Sequence, residues 1–489
     1  MPRIVIAGGG IGGMIAALLL SKQGADVGLF EKNDKLGGRL AFQEGHGFRI
    51  DQGPTIVLLP DMLLDILEEA GIPRAAIPLQ ECSPMHVIHY ADGTRLTKWR
   101  DTDKQMQELE RLAPGSSNGF LRYMDHMRDG FKLGKAAFLD RPFLRKSHLF
   151  TVSNLRLLAR LRAYRSTRAL AAQYFRDERL VDAFSLQTLY IGGAPFQAPG
   201  LYTLLPYAEH EYGVWYVKGG YASLVPLLEQ ELRSRGVDIH TGTEVSELLL
   251  ENGICRGFIA GGKAYRGDAV VYNGDLPHRL PRLNQAGAAP EREKGSEKYV
   301  PSSGCVLVYA GTNKTWPNAA THQFFLPPSL NDSLKDIFVK KTLPRNPSFY
   351  VFNPSAIDKD AAPEGHSALY FLIPCPPEPF VDWERETAAL VDNVLEEAER
   401  RGFPGLKASI VWKSVRTPRD AKRDGLFQGG SFGLAPLLLQ SAAFRPQFKH
   451  GKIEGLYAVG ASIHPGGGIP IVMQGAKLLA HHLIEEVFP

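Results

Sequence analysis

Short apolar runs alternate with glycines over roughly the first thirty residues of the chain. The run 3–7 (RIVIA) leads into consecutive glycines, the run 14–20 (MIAALLL) follows them, and the run 25–30 (ADVGLF) ends at Glu31. A short apolar run bounded by glycine is typical of a buried strand, and a longer one after a glycine turn is typical of a helix. The pattern therefore predicts a strand, a tight turn, a helix and a second strand.

The hydrophobic pattern predicts further elements in the second half of the chain. The runs 304–309 (GCVLVY) and 348–352 (SFYVF) indicate strands, and acidic and apolar residues at helical spacing predict a helix over 383–400. The proline-rich stretch 374–379 indicates a rigid loop. Near the C-terminus, a strand and a glycine-rich turn lead into a helix over 472–479.

The glycines of the first turn have the spacing of a nucleotide-binding loop. Gly8, Gly10 and Gly13 form the pattern Gly-x-Gly-x-x-Gly between the predicted strand and helix. Glycines let the backbone approach a pyrophosphate at a helix N-terminus, whose amides favour negative charge. Glu31 follows about twenty residues on, where a carboxylate can accept hydrogen bonds from a ribose. The pattern predicts a bound dinucleotide but does not separate a nicotinamide from a flavin.

Length and composition describe a globular protein. The 489 residues, of which 44% are hydrophobic and 22% charged, predict two domains or more, and the net charge of +4 identifies no partner. The four cysteines are scattered, which predicts reduced thiols and neither a metal site nor disulfides. Hydrolysis and phosphoryl transfer are disfavoured, because the motifs for them are missing. With no apolar run of the roughly 18–20 residues of a spanning helix, we expect a cytoplasmic protein or one on a membrane surface.

Segment 141–168 combines many basic residues with leucines and contains no acid. This composition predicts a basic amphipathic helix that docks peripherally on an anionic membrane surface. A solvated helix with a buried leucine face is the alternative. Nucleic acid would fit the charge, but no stacking module accompanies it, so we expect no such partner. The basic residues are Arg141, Arg145, Lys146, Arg156, Arg160, Arg162, Arg165 and Arg168.

The residues that follow Glu31 separate the two cofactors. Segment 34–39 (DKLGGR) resembles the second flavin signature of the amine oxidase and phytoene desaturase superfamily. Segment 244–248 (EVSEL) is similar to the superfamily strand that pairs with adenine, and segment 464–470 (HPGGGIP) resembles its C-terminal flavin turn. The resemblance implies FAD. With the glycine motif, it implies cofactor contacts at Gly8, Gly10, Gly13, Glu31, Lys32, Gly38, Arg39, Pro54, Thr55, Val245, Gly460, Ala461, Gly468, Ile469 and Pro470.

Similarity to bacterial-type phytoene and dehydrosqualene desaturases extends over essentially the whole chain. Segments 47–55 (GFRIDQGPT), 185–193 (SLQTLYIGG) and 212–220 (YGVWYVKGG) resemble segments of that family. The resemblance implies an α/β fold with a Rossmann-like FAD-binding domain, a discontinuous mixed α+β substrate domain and a helical membrane-facing segment. The implied FAD-binding domain comprises 1–80, 215–300 and 415–489, and the implied substrate-binding domain comprises 81–214 and 301–414.

The family resemblance also implies a reaction. It implies an FAD-dependent desaturase of carotenoid biosynthesis that acts on dehydrosqualene (4,4′-diapophytoene) or phytoene, with the C30 branch somewhat nearer. Only a long apolar tunnel can hold such a substrate, and the flavin is the natural hydride acceptor. Either a quinone or oxygen would reoxidise the flavin. A family aspartate proposed as acid/base aligns with His148, which becomes the candidate proton acceptor.

Two alternatives share these motifs. A related flavoenzyme that oxidises a terminal methyl group of a carotenoid carries nearly all of them, so only product analysis separates it from a desaturase. Prenyl-protein chaperones of the same fold are a more remote alternative. They extract lipidated partners without flavin and lack a full set of flavin signatures, whereas this chain has one.

Overall fold

A computed structural model describes residues 1–275, 282–284, 298–449 and 453–487 of the chain. Parts of the predicted FAD-binding segments 215–300 and 415–489 therefore lie outside the described residues. The strands are β1 Arg3–Ala7, β2 Asp26–Phe30, β3 Phe42–Gly45, β4 Phe48–Asp51, β5 Leu79–Glu81, β6 His86–His89, β7 Arg95–Lys98, β8 Trp215–Val217, β9 Asp238–His240, β10 Val245–Glu251, β11 Ile254–Ala260, β12 Lys263–Arg266, β13 Ala269–Tyr272, β14 Arg282–Asn284, β15 Gly304–Thr312, β16 His322–Phe325, β17 Phe349–Phe352, β18 Ser367–Cys375, β19 Ile410–Arg416 and β20 Leu456–Ala458.

The α-helices lie between and after these strands. They are α1 Ile11–Lys22, α2 Pro60–Glu69, α3 Thr102–Leu112, α4 Ser117–Gly134, α5 Val152–Arg160, α6 Thr167–Ala171, α7 Glu178–Ala183, α8 Leu204–Tyr212, α9 Leu224–Ser234, α10 Leu330–Lys335, α11 Trp383–Arg401, α12 Leu406–Ser409, α13 Pro418–Arg423 and α14 Ile469–Val487. The strands and helices predicted from the apolar runs at the N-terminus, and those predicted near 304, 348 and 383, are confirmed.

A five-stranded parallel sheet positions the glycine turn. Its strand order is β20-β13-β1-β2-β9, so the first strand of the chain lies at its centre. Parallel strands covered on both faces are apolar along their length, and β1 is buried from Ile4 to Ala7. Helix α1 is buried from Ile11 to Leu20, because it packs against the sheet, α9 and α14. This packing fixes the N-terminus of α1 at the end of β1.

A mixed seven-stranded sheet, in the order β19-β15-β18-β17-β16-β6-β7, forms the second layer. Side chains alternate between the two faces of a strand, and β15 shows the consequence. Val306 and Val308 pack in a core with helix α11, whereas Tyr309 packs in a second core with the helices of segment 102–212. The sheet thus combines strands from residues 86–98 with strands from residues 304–416.

The predicted amphipathic helix over 141–168 is wrong in its extent. The segment contains the nine-residue helix Val152–Arg160, a short 3-10 turn before it at Lys146–His148, and the start of α6 at Thr167. Arg162 adopts a left-handed backbone conformation with φ of 50°, which ends any continuous helix there. Through the described residues, no helix combines the length and apolarity needed to cross a bilayer.

Candidate functional site

The turn between β1 and α1 presents backbone to a cavity. Gly10 is the N-cap of α1, and no side chain caps the helix, so the first amides stay available to an anion. A Cβ at Gly13 would lie 2.1 Å from the carbonyl oxygen of Gly8, so only glycine allows α1 to pack this closely on β1. Gly13 therefore sets the helix position, while Gly8 and Gly10 border the cavity.

Glu31 ends β2 beside the same turn. Its side chain is buried and borders the cavity. Oε2 accepts a hydrogen bond from the Gly9 amide at 2.8 Å, and Oε1 accepts one from the Asn33 amide at 2.9 Å. A carboxylate oxygen has more than one lone pair, so each can still accept from a ribose hydroxyl. Lys32 also borders the cavity, and its Nζ donates to the Asp424 carbonyl at 2.8 Å.

A second glycine loop lies directly against the first. The Gly37 amide donates to the Gly9 carbonyl at 2.8 Å, and a Cβ at Gly38 would lie 3.3 Å from the Gly10 Cα. Arg39 follows this loop, and its guanidinium donates to the Ser431 carbonyl at 2.8 Å. Burial lowers the pKa of Arg39, and the carboxylate of Asp275 opposes that shift. Two glycine loops thus meet beside the half-buried guanidinium of Arg39.

The C-terminal turn brings a second helix N-terminus to the cavity. Residues 465–468 lead into α14, and Gly468 and Ile469 border the cavity. Arg445 lies beside this turn, is buried, and donates to the carbonyls of Ala461 at 2.6 Å and Gln440 at 3.3 Å. Its Nε has no hydrogen-bond partner within the described part of the chain. This buried cation borders the cavity, and the sequence did not identify it as a site residue.

One cavity of about 1350 Å³ connects these elements. A site for a single small molecule measures roughly 300–1,000 Å³, so the cavity has room for a cofactor together with a substrate. Of the predicted cofactor residues, all except Gly13 border it: Gly8, Gly10, Glu31, Lys32, Gly38, Arg39, Pro54, Thr55, Val245, Gly460, Ala461, Gly468, Ile469 and Pro470.

The residues around this part of the cavity fit a dinucleotide. Two helix N-termini and the glycine loops suit a pyrophosphate, and the buried carboxylate of Glu31 suits a ribose. Asn273 supports the first loop, because its Nδ2 donates to the Gly8 carbonyl at 3.1 Å. Among the described residues, no group of three or more His, Cys, Asp or Glu side chains could hold a metal ion.

The rest of the cavity is apolar and aromatic. Helical residues of segment 131–208 form one wall, and strands β15 to β18 form the other. Tyr190 stacks on Phe324 with ring centroids 5.8 Å apart, and Phe324 contacts Tyr350 at 5.0 Å. The apolar wall residues include Phe131, Phe138, Leu139, Leu186, Leu189, Leu201, Leu204, Leu205, Leu307 and Leu372.

Two histidines lie outside the cavity lining: His148, the candidate proton acceptor, and His464, which begins the C-terminal turn. His148 is exposed in the short turn before α5, so its position gives no support to the predicted proton-acceptor role, which stays a prediction. His464 is buried, and its Nε2 lies 2.9 Å from the Arg141 carbonyl oxygen. Burial lowers the pKa of His464 to about 4. The neutral ring holds the turn before α14 against Arg141 and the edge of Phe143.

The model of the flavin containing amine oxidoreductase family matches residues 11–484 of the chain. The chain belongs to this family. It is 47% identical, over 99% of its length and 97% of the relative, to 4,4'-diapolycopen-4-al dehydrogenase of Metabacillus indicus. It is 34% identical, over 99% and 94%, to zeta-carotene-forming phytoene desaturase of Myxococcus xanthus. Cyclohexylamine oxidase of Brevibacterium oxydans has the same fold, with a TM-score of 0.64, 17% identity and complete coverage of both chains.

These similarities confirm several predictions made from the sequence. The chain is a member of the bacterial carotenoid desaturase group within its family, it is an oxidoreductase, and its cofactor is FAD. The Rossmann-like α/β fold is confirmed as well.

Two residues of the site, Arg445 and Tyr350, were not predicted from the sequence. Arg445 lies outside the flavin signatures of the sequence, and no local motif marks a tyrosine in a strand as part of a site.

Proposed function

We propose that this chain is an FAD-dependent desaturase that introduces double bonds into a long apolar isoprenoid, dehydrosqualene or phytoene. One observation carries the proposal: the cavity that begins at the dinucleotide loops continues between apolar walls. Bound FAD supplies the hydride acceptor. The leucines and aromatic rings hold a chain without polar groups by dispersion and by excluding water. The predicted division into an FAD-binding and a substrate-binding domain is part of this proposal.

Product analysis in a pigment-forming host tests the proposed activity. The chain is expressed in cells that make dehydrosqualene or phytoene, and the extracted polyenes are identified by spectrum and mass. We expect conjugated products from at least one of the two precursors. Leu189→Gln places an amide in the apolar wall and should reduce conversion, whereas Leu121→Gln, at an exposed leucine, is the matched control. Absence of new polyenes from both precursors, with FAD bound, would exclude desaturation.

Oxidation at the end of the isoprenoid chain is the second candidate. It is favoured by the name of the relative that is 47% identical, 4,4'-diapolycopen-4-al dehydrogenase, whereas the relative named as a phytoene desaturase is 34% identical. The same flavin would accept the hydride in both reactions. Cells that make the fully conjugated C30 hydrocarbon and its aldehyde provide the test. Terminal alcohols, aldehydes or acids as products, in place of new double bonds, would identify this reaction.

We propose that the chain binds a membrane surface through what we call the α5 surface, which comprises residues 144–156, Tyr164 and Arg165. Its exposed apolar side chains include Phe150, Val152 and Leu155, which are 57%, 64% and 47% exposed. Exposed basic residues lie among them, and apolar and basic groups together favour an anionic bilayer. Four of the basic residues have no acidic partner among the described residues: Arg145, Lys146, Arg156 and Arg165.

The α5 surface lies one layer of side chains from the cavity. Leu157 and Leu161, on the inner side of this segment, pack with Phe138 and Phe143 in a small core. Phe138 itself borders the cavity, as do the neighbouring leucines Leu201 and Leu204. A substrate dissolved in lipid would therefore have a short path to the apolar walls. At the membrane surface, either a quinone or oxygen would reoxidise the flavin. Turnover measured without oxygen, with and without added quinone, separates these two acceptors.

Co-sedimentation with anionic liposomes tests the α5 surface. In the test variant, Arg145, Lys146, Arg156 and Arg165 are replaced by glutamine. Each basic residue contributes about 1 kcal/mol near an anionic surface, so binding should fall by roughly 10²- to 10³-fold. The control variant replaces the exposed residues Lys340, Arg385, Arg400 and Arg423 by glutamine. Equal binding by both variants would show that this surface does not contact the membrane.

A further inference from the structure

Two tyrosines of the cavity wall are connected to buried polar groups that a hydrocarbon does not need. Tyr190 and Tyr350 both border the cavity, on either side of Phe324. An isoprenoid hydrocarbon offers no hydrogen bond, and buried polar groups destabilise a protein unless they are paired. The polar groups behind this wall can therefore serve a ligand that carries a polar group of its own.

Behind Tyr190 lies a charged cluster. Its hydroxyl donates to Oε1 of Glu209 at 2.8 Å, and Nε2 of Gln187 donates to Oε2 at 2.9 Å. Glu209 is fully buried, and burial raises the pKa of its carboxyl while the charge of Lys98 opposes that shift. Nζ of Lys98 lies 3.5 Å from the ring centroid of Phe184 and has no hydrogen-bond partner among the described residues.

The direction of this hydrogen bond determines what Tyr190 can offer a ligand. With Glu209 ionised beside the charge of Lys98, the Tyr190 hydroxyl donates its proton to the carboxylate, and the phenolic oxygen can accept a further hydrogen bond. A carboxylate partner also makes that oxygen a stronger acceptor, because hydrogen bonds in a chain polarise one another. Tyr190 is therefore suited to a ligand that carries an O–H group rather than to a bare carbonyl.

Tyr350 belongs to a separate chain of hydrogen bonds. Its hydroxyl lies 2.8 Å from Oγ1 of Thr55 and 2.6 Å from Nδ1 of His322. His322 is fully buried, and its Nε2 has no partner in the described structure. Burial lowers the pKa of His322 to about 3, so the ring is neutral and can have either tautomer. This hydrogen-bonded network can therefore donate or accept a hydrogen bond at Thr55, which also borders the cavity.

We propose that Tyr190 and Tyr350 form a subsite for the hydroxylated end of an isoprenoid chain. The ligand class is a long apolar polyene that ends in an alcohol or in the hydrate of an aldehyde. Its O–H group donates to Tyr190, and its oxygen forms a hydrogen bond with the hydroxyl network of Tyr350 and Thr55. The inference rests on the second proposed function, oxidation at the end of the isoprenoid chain, and deepens it by assigning residues that would hold the oxygenated end in the same cavity.

Binding of three matched C30 polyenes to the FAD-loaded enzyme tests the subsite. The ligands are the hydrocarbon, its terminal alcohol and the methyl ether of that alcohol, and dissociation constants are measured by tryptophan fluorescence quenching in detergent. We expect the alcohol to bind about tenfold more tightly than the ether, which is the effect of one hydrogen bond. The ether keeps the oxygen but cannot donate. Equal affinities for the alcohol and the ether would overturn the proposal.

Phenylalanine variants assign the effect to residues. Tyr190→Phe should abolish the preference for the alcohol over the methyl ether, because it removes the oxygen that accepts the ligand's hydrogen bond. Tyr123→Phe is the matched control, because it removes a fully buried hydroxyl that bonds the Thr203 carbonyl outside the cavity lining. If Tyr190→Phe does not fold, Tyr350→Phe must lower the preference for the alcohol. A preference that survives in the folded variants would refute the assignment.

Failure of this inference is distinguishable from failure of the proposed function. If the subsite is absent, the hydrocarbon still binds and is still oxidised, but the alcohol has no advantage. If the chain does not act on isoprenoids, none of the three ligands binds and FAD is not reduced.

Discussion

Replacing Glu31 by alanine should produce two separable effects. The carboxylate accepts hydrogen bonds from the amides of Gly9 and Asn33 at 2.8 and 2.9 Å, and the first of these is buried. Loss of the acceptor leaves the Gly9 amide unsatisfied even without cofactor. A buried unpaired donor costs about 1–3 kcal/mol, so we expect the unfolding free energy of the FAD-free protein to fall by that amount.

The second effect concerns the cofactor. Hydrogen bonds from ribose hydroxyls to a carboxylate contribute about 1.5–3 kcal/mol, so the dissociation constant of FAD should rise by roughly 10- to 150-fold. Denaturant unfolding of the FAD-free protein measures the first effect, and calorimetric titration with FAD measures the second. Glu44→Ala, at an exposed position on β3, is the control.

The two measurements can contradict the reasoning independently. An unchanged FAD affinity with lowered stability would mean that Glu31 only braces the loop. A lowered affinity with unchanged stability would mean that the amide bonds do not contribute. If neither quantity changes, the assignment of Glu31 to the dinucleotide site is wrong.

Three further predictions follow from individual residues. Gly13→Ala should abolish FAD retention, because its Cβ would lie 2.1 Å from the Gly8 carbonyl oxygen; normal flavin absorbance in the purified variant would contradict this. His148→Ala should desaturate within about threefold of the wild-type rate, less than the 10²- to 10⁴-fold loss of a general base. Single-turnover flavin reduction measures this, and a larger loss would restore His148 as the proton acceptor. Burial raises the pKa of Asp51 to about 7, so stability should fall as the pH rises from about 4 to 7, since the unfolded chain releases this proton at lower pH. Asp51→Asn should flatten that slope in unfolding curves, and an unchanged slope would show that other groups cause it.

The dinucleotide part of the site could be predicted because its signals are local. The turn at Gly8 to Gly13 and the carboxylate of Glu31 lie within one strand–helix–strand unit, where spacing along the chain fixes position in space. The loop at Gly38 comes directly after this unit in the sequence. Such motifs depend on backbone geometry that only certain residues permit, so they can be recognised without any knowledge of the tertiary fold.

The substrate part could not be predicted in the same way. Tyr350 reaches the cavity because β17 pairs with β16 and β18, and its hydroxyl meets Thr55 from a segment nearly three hundred residues away. Nothing in the neighbourhood of either residue indicates that contact. The prediction of one amphipathic helix over 141–168 was wrong for a different reason. Its composition was amphipathic, but composition does not reveal a left-handed residue such as Arg162 in its interior.

The position of β1 at the centre of its sheet has a consequence for synthesis on the ribosome. The backbone amide of Arg3 bonds to Asp268, 265 residues later, and β20 and α14 arrive only with the last part of the chain. Such long-range pairing is slow and leaves apolar surface unprotected meanwhile. A nascent chain would display α1, which is apolar from Ile11 to Leu20, until α14 emerges to cover it. Flavin should therefore bind only after α14 has been synthesised, and cells rich in chaperones that shield hydrophobic nascent chains should yield more of the flavin-loaded protein.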